Sequence, residues 1–327
     1  MKKNIAILAG GDSSEFIISL QSAEQVRGIL NKNKFNIFTV NVKGSEWILT
    51  SDQYCDMVVN KDDFSFSYQG TKVKFDFALI MIHGTPGEDG KLQSYFDLLN
   101  IPYSTSDTFT SALTFNKFAC KAFLSNFDVP MVESVLIRKG QDFNEDKILE
   151  KTGLPCFVKP NAGGSSFGIS KVKKASELSK AIELAFNEDS EVIIEAFIDG
   201  IEVSNGILIT KDDYIRLPVT EIDTDNEFFD YDAKYSGNAR EITPARLSEN
   251  ILTKIKDQTK NIYQFLNCKG IVRVDYIIKN EIPYFLEINT VPGMSAESIV
   301  PKQAKYINIE LSDLFEKIID DCLQVKL

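Results

Sequence analysis

Histidine is almost absent from this sequence of 327 residues, because His83 is the only one. A zinc site built mainly from histidines is therefore excluded, and a Ser-His-Asp or Cys-His hydrolase would have to use that single residue. Cysteine is also sparse and shows no C-x-x-C spacing, which predicts reduced and mostly buried thiols in a cytoplasmic protein. The five cysteines are Cys55, Cys120, Cys156, Cys268 and Cys322.

Positive charge and long apolar runs are scarce as well. Lysine and arginine number 36 against 47 aspartates and glutamates, for a net charge of −11. Nucleic acid or an anionic membrane would need a basic face, so neither is expected as a partner. The apolar run in "MKKNIAILAGG" ends at a glycine pair, too early for a signal peptide, and no segment approaches the length of a membrane span. The composition, 43% hydrophobic and 25% charged, is typical of a soluble globular protein of two or three domains.

Strand and helix patterns alternate over about the first hundred residues. "KNIAILAGG" predicts a buried strand, and "SLQSAEQVRGIL" predicts a helix capped by Ser19. "FNIFTVNV" and "FDFALIMIHG" continue the alternation, which predicts an open parallel α/β sheet. Ligands of such sheets bind at the carboxyl ends of the strands. The loops "GGDSSE" and "HGTPGEDG" are therefore candidate binding loops.

The pattern changes from about residue 107 onward. "SALTFNKFACKAFLSNFDVP" predicts one helix, and the strands and helices that follow it predict a mixed α+β region. A long helix near residues 248 to 266 and the strands "GIVRVDYIIKN" and "IPYFLEINT" come later in the chain. The fold class expected from these patterns is therefore α/β and α+β.

A loop rich in small residues, "GGSSFGIS", nearly matches the phosphate-binding pattern G-x-x-x-x-G-K-[ST]. Ile169 stands where that pattern requires lysine, so an ordinary P-loop is excluded. The loop can still bind phosphate, because glycines let backbone N–H groups turn toward an anion and serines add hydroxyl donors. Its lysine, Lys159, precedes it on a predicted strand.

The last two predicted strands carry facing acidic residues. If residues 280 to 282 connect them, Asp275 faces Glu287 directly, and Arg273 faces Asn289 on the same side of the sheet. Like charges in apolar strands require a positive charge between them. Carboxylate and amide oxygens are the ligands that Mg²⁺ prefers. The alternative is a structural ion pair in which Arg273 alone neutralises one carboxylate.

Several motifs together resemble the D-alanine–D-alanine ligases of the ATP-grasp superfamily. They occur in the family's order and approximate spacing: "GGDSSE", "HGTPGEDG", "VKPNAGGSSFG", "EAFIDGIE", "YDAKY", "VRVD" and "EINTVPGMSAES". The resemblance implies an ATP-grasp fold behind an N-terminal open parallel α/β (pre-ATP-grasp) domain. It implies a substrate-binding domain over 1–106, a central subdomain with the phosphate loop over 107–198, and a C-terminal subdomain with the metal and D-alanine sites over 199–327.

The resemblance also implies the nucleotide site. Lys117 and Lys159 would contact the α and β phosphates, and the small-residue loop containing Ser166 would close over them. Adenine would bind at a hinge formed by Glu195, Ala196, Phe197 and Ile198, and Glu202 would bind the ribose. Lys234 of the mobile loop would reach the γ-phosphate. The family often has lysine in place of Ala196, so one adenine contact is in question. ATP and two Mg²⁺ ions, which Mn²⁺ can replace, are the implied cofactors, with Asp275, Glu287 and Asn289 as metal ligands.

The implied substrate site serves the ligation of two D-alanines through an acyl phosphate, for peptidoglycan synthesis. Glu15 would anchor the first D-alanine, and His83 would line its pocket. Arg273 and the Gly293 N–H would form the oxyanion hole. Ser298 with Ile299 would bind the carboxylate of the second D-alanine, and Ser165 with Tyr235 would close the mobile loop. Outside the resemblance, Glu15 would be a helix-start charge, and Lys117 and Lys234 ordinary solvated lysines.

Two other functions are compatible with the same motifs. One is an ATP-grasp carboxylate–amine ligase with another second substrate, including D-lactate or D-serine, and Tyr235 and Ser298 would discriminate among these. The other is a non-catalytic nucleotide-binding relative, which should have lost a metal ligand or Arg273; the sequence retains all of them. The expected partners are D-alanine and ATP, and we also expect a homodimer in the cytoplasm.

Overall fold

The computed structural model describes residues 2–164, 168–224 and 239–324. Four predicted site residues therefore lie outside the described residues: Ser165, Ser166, Lys234 and Tyr235. In the described part of the chain, no helix is long and apolar enough to cross a membrane.

The first sheet has the strand order β3-β2-β1-β6. β1 pairs in parallel with β2 and β6, as predicted, but the edge strand β3 pairs antiparallel with β2 as a hairpin. The strands of this region are β1 (Lys3–Gly10), β2 (Phe35–Lys43), β3 (Glu46–Leu49), the separate hairpin of β4 (Ser65–Tyr68) and β5 (Thr71–Lys74), and β6 (Phe77–Ile80). Its helices are α1 (Phe16–Ile29) and α2 (Lys91–Leu99).

Helix α1 begins earlier than predicted, with Glu15 at its N-cap position. Ser19, predicted as the cap, is fully buried inside the helix instead. Its hydroxyl donates to the Met81 carbonyl (2.7 Å) and accepts the Gly10 N–H (2.8 Å). A hydroxyl can do both at once, so Ser19 joins α1 to the carboxyl ends of two neighbouring strands. The cap prediction was wrong because these partners come from distant parts of the chain.

The single helix predicted after residue 107 is two helices, α3 (Thr108–Phe115) and α4 (Lys117–Leu124). Asn116 separates them with an extended backbone, and its side chain caps α4 by accepting the Ala119 N–H (2.9 Å). Asn116 also forms a β-bridge with Ala162. This tertiary pairing interrupts the helix and places Lys117 at the first position of α4.

The second sheet is antiparallel, with the order β7-β10-β8-β9. Helices α5 and α6 cover it, and its core contains Val158, Ile182 and Val192. The elements are β7 (Ser134–Arg138), α5 (Glu145–Thr152), β8 (Cys156–Pro160), β9 (Ser170–Val172), α6 (Leu178–Ala185) and β10 (Glu191–Ala196).

The third sheet is antiparallel, with the order β13-β12-β11-β14-β15. The predicted long helix is confirmed as α7, whose Ile255 and Ile262 are fully buried against this sheet. The elements are β11 (Ile201–Ile209), β12 (Tyr214–Thr224), β13 (Ala239–Ile242), α7 (Glu249–Phe265), β14 (Ile271–Lys279), β15 (Ile282–Asn289), α8 (Ile299–Tyr306) and α9 (Leu311–Gln324).

The C-terminal helix α9 packs against the first sheet. Phe315 and Ile319 share one buried core with Ile5 and Ile7 of β1. Each of the three sheets falls within one of the three predicted domain ranges, although the core of the first sheet also contains residues from the end of the chain. The domain boundaries stay a prediction.

The β14–β15 hairpin has the predicted register at its acidic residues, but its turn is shorter than predicted and one strand contains a bulge. Asp275 pairs with Glu287 and Arg273 with Asn289, as expected. However, the connection is a two-residue turn, and both of its residues have positive φ, 51° at 280 and 62° at 281, as a type I′ turn requires. That turn alone would place Leu286 opposite Asp275. A β-bulge between Asp275 and the next pair takes up one residue of β15 and restores the facing carboxylates.

Candidate active site

A cleft of about 230 Å³ is lined by residues from all three predicted domain ranges. Loops after β1 and β6, the start of α4, the strands β14 and β15 and the segment after β15 supply its walls. The cleft brings together these predicted site residues: Glu15, His83, Lys117, Glu202, Arg273, Asp275, Glu287, Asn289, Gly293, Ser298 and Ile299.

Asp275 is the buried acidic residue of the cleft, with 5% of its surface exposed. Its carboxylate accepts two hydrogen bonds from Arg273, at 2.9 Å from Nε and 2.7 Å from Nη2. Ser204 Oγ donates at 2.5 Å, and Asn289 Nδ2 donates at 3.1 Å. The ion pair considered from the sequence is therefore present. A carboxylate has about four acceptor positions, so a cation that binds Asp275 must replace at least one of these donors.

Glu287 faces Asp275 and contacts Lys117, whose Nζ lies 3.4 Å from Oε2. The Lys117 side chain is only 14% exposed, and its ammonium also donates to the Gly163 carbonyl (2.7 Å). Lys117 is therefore not an ordinary surface lysine. It joins the first residues of the phosphate loop to the acidic pair on β14 and β15.

The donor atoms of this acidic pair fit a hard cation. No group of three or more His, Cys, Asp or Glu residues that could hold a metal occurs in the ranges that the structure describes. A magnesium site here would thus combine Asp275 and Glu287 with the amide oxygen of Asn289 and with oxygens from outside the protein. That combination suits Mg²⁺, which usually keeps waters and substrate phosphates as ligands.

Lys159 is not among the residues that line the cleft, and its ammonium forms an ion pair with a buried carboxylate. Its Nζ donates to Glu195 Oε2 (2.7 Å), and the other oxygen of Glu195 contacts the buried ammonium of Lys121. Burial alone would raise the pKa of Glu195, but the two ammonium groups lower it to about 2. Burial also opposes the charge on Lys159, whereas Glu195 and then Glu287 raise its pKa. Lys121 was not predicted; its only signal was its position one helical turn after Lys117.

The predicted adenine hinge begins at Glu195 and continues through the next three residues. The Ala196 N–H donates to the Glu133 carbonyl (2.9 Å) and the Phe197 N–H to the Pro155 carbonyl (3.3 Å). These two N–H groups therefore join the hinge to neighbouring segments. The next hinge residue, Ile198, is half-buried. Lys171 Nζ lies 4.0 Å from the centroid of the Phe197 ring.

His83 uses both ring nitrogens inside the protein. Nδ1 lies 2.8 Å from the Val291 carbonyl and Nε2 lies 3.2 Å from Ser22 Oγ. Burial lowers the pKa of His83, which favours the neutral ring. Because a carbonyl can only accept, the proton lies on Nδ1 and the Ser22 hydroxyl donates to Nε2. His83 thus lines the cleft and positions the segment after β15.

Glu88, which was not predicted, acts on the same segment. Its Oε1 accepts the Val291 N–H (3.3 Å) and its Oε2 accepts the Gly84 N–H (2.7 Å). Burial, followed by the nearby charge of Glu15, raises the pKa of Glu88 to about 8. Ser22 Oγ accepts the Met294 N–H (3.2 Å). Val291 before Gly293 and Met294 after it are therefore both hydrogen-bonded to residues of the first α/β region. The signal for Glu88 was its place in "HGTPGEDG", the loop that the strand-end rule indicated.

Glu15 occupies the N-cap position of α1, yet its side chain makes no capping hydrogen bond. The carboxylate lies beside Gly164, where an added Cβ would be 2.6 Å from Oε2. A side chain at position 164 would therefore displace the Glu15 carboxylate, and Gly164 lies directly against Glu15.

Gly293, Ser298 and Ile299 form the end of the cleft near α8. A Cβ on Gly293 would lie 2.8 Å from Ser298 Oγ, which itself lies 2.8 Å from Ser295 Oγ. Ser298 is the N-cap residue of α8 and Ile299 its first residue. Backbone N–H groups at such a position suit a carboxylate ligand. Glu202 lies near the start of β11 and lines the same cleft.

Known proteins are similar to this chain over most of its length. Family models described as "D-ala D-ala ligase N-terminus" and "D-ala D-ala ligase C-terminus" match residues 4–106 and 123–320. A D-alanine–D-alanine ligase of Phocaeicola vulgatus is 47% identical over 322 residues, covering 98% of this chain and 99% of the relative.

Solved structures are similar over nearly the whole chain. A D-Ala:D-Ser ligase of Enterococcus faecalis is 34% identical with a TM-score of 0.85, over 98% of this chain and 99% of the other. A D-alanine–D-alanine ligase of Bacillus anthracis complexed with ATP is 30% identical with a TM-score of 0.79, over 99% and 98%. The predicted ATP-grasp fold is thereby confirmed. The chain belongs to the D-alanine–D-alanine ligase family.

Proposed function

We propose that this protein joins two D-alanines to D-alanyl-D-alanine with the hydrolysis of ATP to ADP and phosphate, for peptidoglycan synthesis. ATP phosphorylates the carboxylate of the first D-alanine, and the amine of the second attacks the resulting acyl phosphate. The observation that carries the proposal is the cleft in which Lys117, Arg273 and the facing Asp275 and Glu287 meet, in a chain that matches the family from end to end.

The nucleotide would lie between the second and third sheets. Lys117 and Lys159 would bind the phosphates as compact point charges. The loop containing Ser166 would close over them, and Lys234 would reach the γ-phosphate. Adenine would contact the hinge from Glu195 to Ile198, mainly through groups other than the Ala196 and Phe197 N–H, which are already bonded. Glu202 would bond the ribose hydroxyls.

The acidic pair would bind two Mg²⁺ ions. Asp275, Glu287 and Asn289 supply oxygen ligands of the kind that Mg²⁺ or Mn²⁺ takes. Bound there, the ions would neutralise charge on the transferring phosphoryl group. The protein's own part is to give up hydrogen bonds: Asp275 releases one of its four donors, and Lys117 moves from Glu287 toward a phosphate.

The substrates would occupy the other half of the cleft. Glu15 would bind the ammonium of the first D-alanine, and Ser298 with Ile299 would bind the carboxylate of the second. Arg273 and the Gly293 N–H would stabilise the oxyanion of the tetrahedral intermediate, where preorganised donors are most effective. His83 and Glu88 support this role because they bond the adjacent Val291. Ser165 and Tyr235 would close the mobile loop over the reactants.

A second candidate activity is ligation of D-alanine to D-serine or D-lactate. The similarity to a D-Ala:D-Ser ligase favours keeping D-serine as an alternative. We favour D-alanine over D-lactate because Tyr235 is a neutral phenol that adds no positive charge to repel an incoming ammonium; D-serine, which also carries an amine, stays the alternative.

A coupled assay of ADP release tests both proposals. D-alanine alone should support turnover, whereas L-alanine should not. In a competition of D-alanine with D-serine or D-lactate between about pH 6 and pH 9, D-alanyl-D-alanine should dominate over both D-alanyl-D-serine and the ester, and its rate should rise with pH as more amine becomes neutral. ADP release only with other acids and amines would contradict the proposed function. Preferential ester formation near neutrality would show that Tyr235 does not set the specificity.

The remaining proposals concern organisation and location. We infer a homodimer that acts in the cytoplasm and three domains with boundaries near residues 106 and 198. The confinement of each sheet to one of these ranges supports the domain division. Light scattering at several protein concentrations would test the dimer.

A further inference from the structure

Lys121 is a buried lysine that shares one carboxylate partner with Lys159. It lies on α4, one turn after Lys117, with 3% of its surface exposed. Lysine is almost never fully buried unless its charge is paired. Its partner is Glu195, which is equally enclosed and whose other oxygen accepts from Lys159 at 2.7 Å. One buried carboxylate thus has two ammonium partners.

The two lysines differ in what else they can reach. The Lys159 side chain is 12% exposed, and the cleft carboxylates Glu287 and Glu202 act on its charge. Lys121 is enclosed and contacts the other carboxylate oxygen of Glu195, Oε1. Lys159 can therefore exchange Glu195 for a ligand in the cleft, whereas Lys121 remains with Glu195.

We propose that Lys121 is a positioning residue that neutralises Glu195 permanently, so that Lys159 can leave this carboxylate for a nucleotide phosphate. This inference rests on the proposed role of Lys159 in phosphate binding. Without Lys121, the departure of Lys159 would leave a buried carboxylate with no counter-ion, which is strongly unfavourable. Lys159 would then stay on Glu195, and the phosphates would lose its contact.

Calorimetry of ADP and adenosine binding tests this role of Lys121. Lys121→Met should weaken ADP binding by at least about tenfold, because an opposite charge in contact shifts ionic equilibria by one to three powers of ten. Binding of adenosine, which has no phosphate, should change by less than about twofold.

A double variant separates this role from a general effect on folding. In Lys121→Met with Glu195→Gln, no carboxylate remains to retain Lys159, and the glutamine keeps an acceptor oxygen. The backbone groups of residue 195, through which the hinge would contact adenine, are the same in both variants. ADP affinity should therefore return to within about threefold of the unsubstituted protein. Lys151→Met is the matched control, because this lysine is exposed on α5, and it should bind both ligands normally.

Each outcome decides a separate point. If the unsubstituted protein does not bind ADP, the proposed function fails first. If it binds ADP but Lys121→Met binds ADP equally well, the inference is overturned, and the same holds if adenosine and ADP weaken together. If Lys121→Met does not fold, Lys121→Gln replaces it, since the amide still donates to Glu195 without the charge. A folded double variant that binds ADP more than about tenfold worse than the unsubstituted protein also overturns the inference.

Discussion

Replacing Glu287 with glutamine tests the acidic pair, because it preserves shape while removing one of two facing charges. The substitution removes the ion pair with Lys117 at 3.4 Å. At an effective dielectric constant of about 20, that attraction amounts to about 5 kcal/mol before desolvation. The side chains of Lys117 and Glu287 are only 14% and 29% exposed, so the cost of desolvating both charges offsets much of this attraction.

The loss of this attraction is partly offset by relief of repulsion with Asp275 directly opposite. We therefore expect the variant to stay folded, with its free energy of unfolding lowered by less than the roughly 3–5 kcal/mol that breaking a buried ion pair costs. Turnover should behave very differently, because a proposed magnesium ligand is lost. It should fall by at least about a hundredfold, since even residues that only orient metal ligands contribute ten- to hundredfold.

The assay combines urea unfolding with coupled ADP release over a range of Mg²⁺ concentrations. Glu281→Gln is the matched control: it makes the same charge change at the exposed turn of the same hairpin. That variant should retain full turnover. Normal turnover by Glu287→Gln at ordinary Mg²⁺ concentrations would refute the assignment of Glu287 as a metal ligand. Unfolding of the variant would show instead that the residue is needed for the fold.

Three other predictions follow from contacts in the cleft. Arg273→Lys keeps the charge but loses the paired hydrogen bonds to Asp275, so kcat should fall much more than the ADP affinity measured by calorimetry. Weakened ADP binding with an unchanged kcat would instead make Arg273 a nucleotide ligand. The pKa of Glu88 is raised to about 8, so folding stability should decline as the pH rises from about 4.5 to 8, because the unfolded chain loses this proton first. Glu88→Gln should decline less in urea titrations across that range, and parallel curves would contradict the prediction. Gly164→Ala would place a Cβ 2.6 Å from Glu15 Oε2, so it should raise KM for D-alanine more than KM for ATP, and equal effects on both would argue against Glu15 as the substrate anchor.

Local patterns were sufficient to predict much of the fold and part of the cleft. Strand alternation was enough to place Arg273 with Asp275 on one face of β14, and Glu287 with Asn289 on one face of β15, because side chains alternate along each strand. The glycines and acidic residues after β1 and β6 lie in the cleft because parallel strands present their carboxyl ends at one edge. These features depend only on the residues of the strands themselves.

The hairpin connection shows where local patterns were insufficient. The predicted three-residue connection and the observed two-residue turn with a bulge give the same register at the carboxylates. Whether an extra residue lies in the turn or inside β15 depends on how β15 packs against its neighbours. The strand sequence alone does not distinguish these two arrangements.

The sequence by itself determined the family, the order of the elements and most of the charged groups of the cleft, because periodicity and motifs are properties of neighbouring residues. Only the tertiary structure decided which partners those charges have. Lys121 meets Glu195 across 74 positions of the chain, and Glu88 meets Val291 across 203. A buried polar or charged group is stable only beside a partner, and folding, not local sequence, brings such partners together. The same reason explains why Lys121 and Glu88 were missed, and why His83 proved to hold the segment around Gly293.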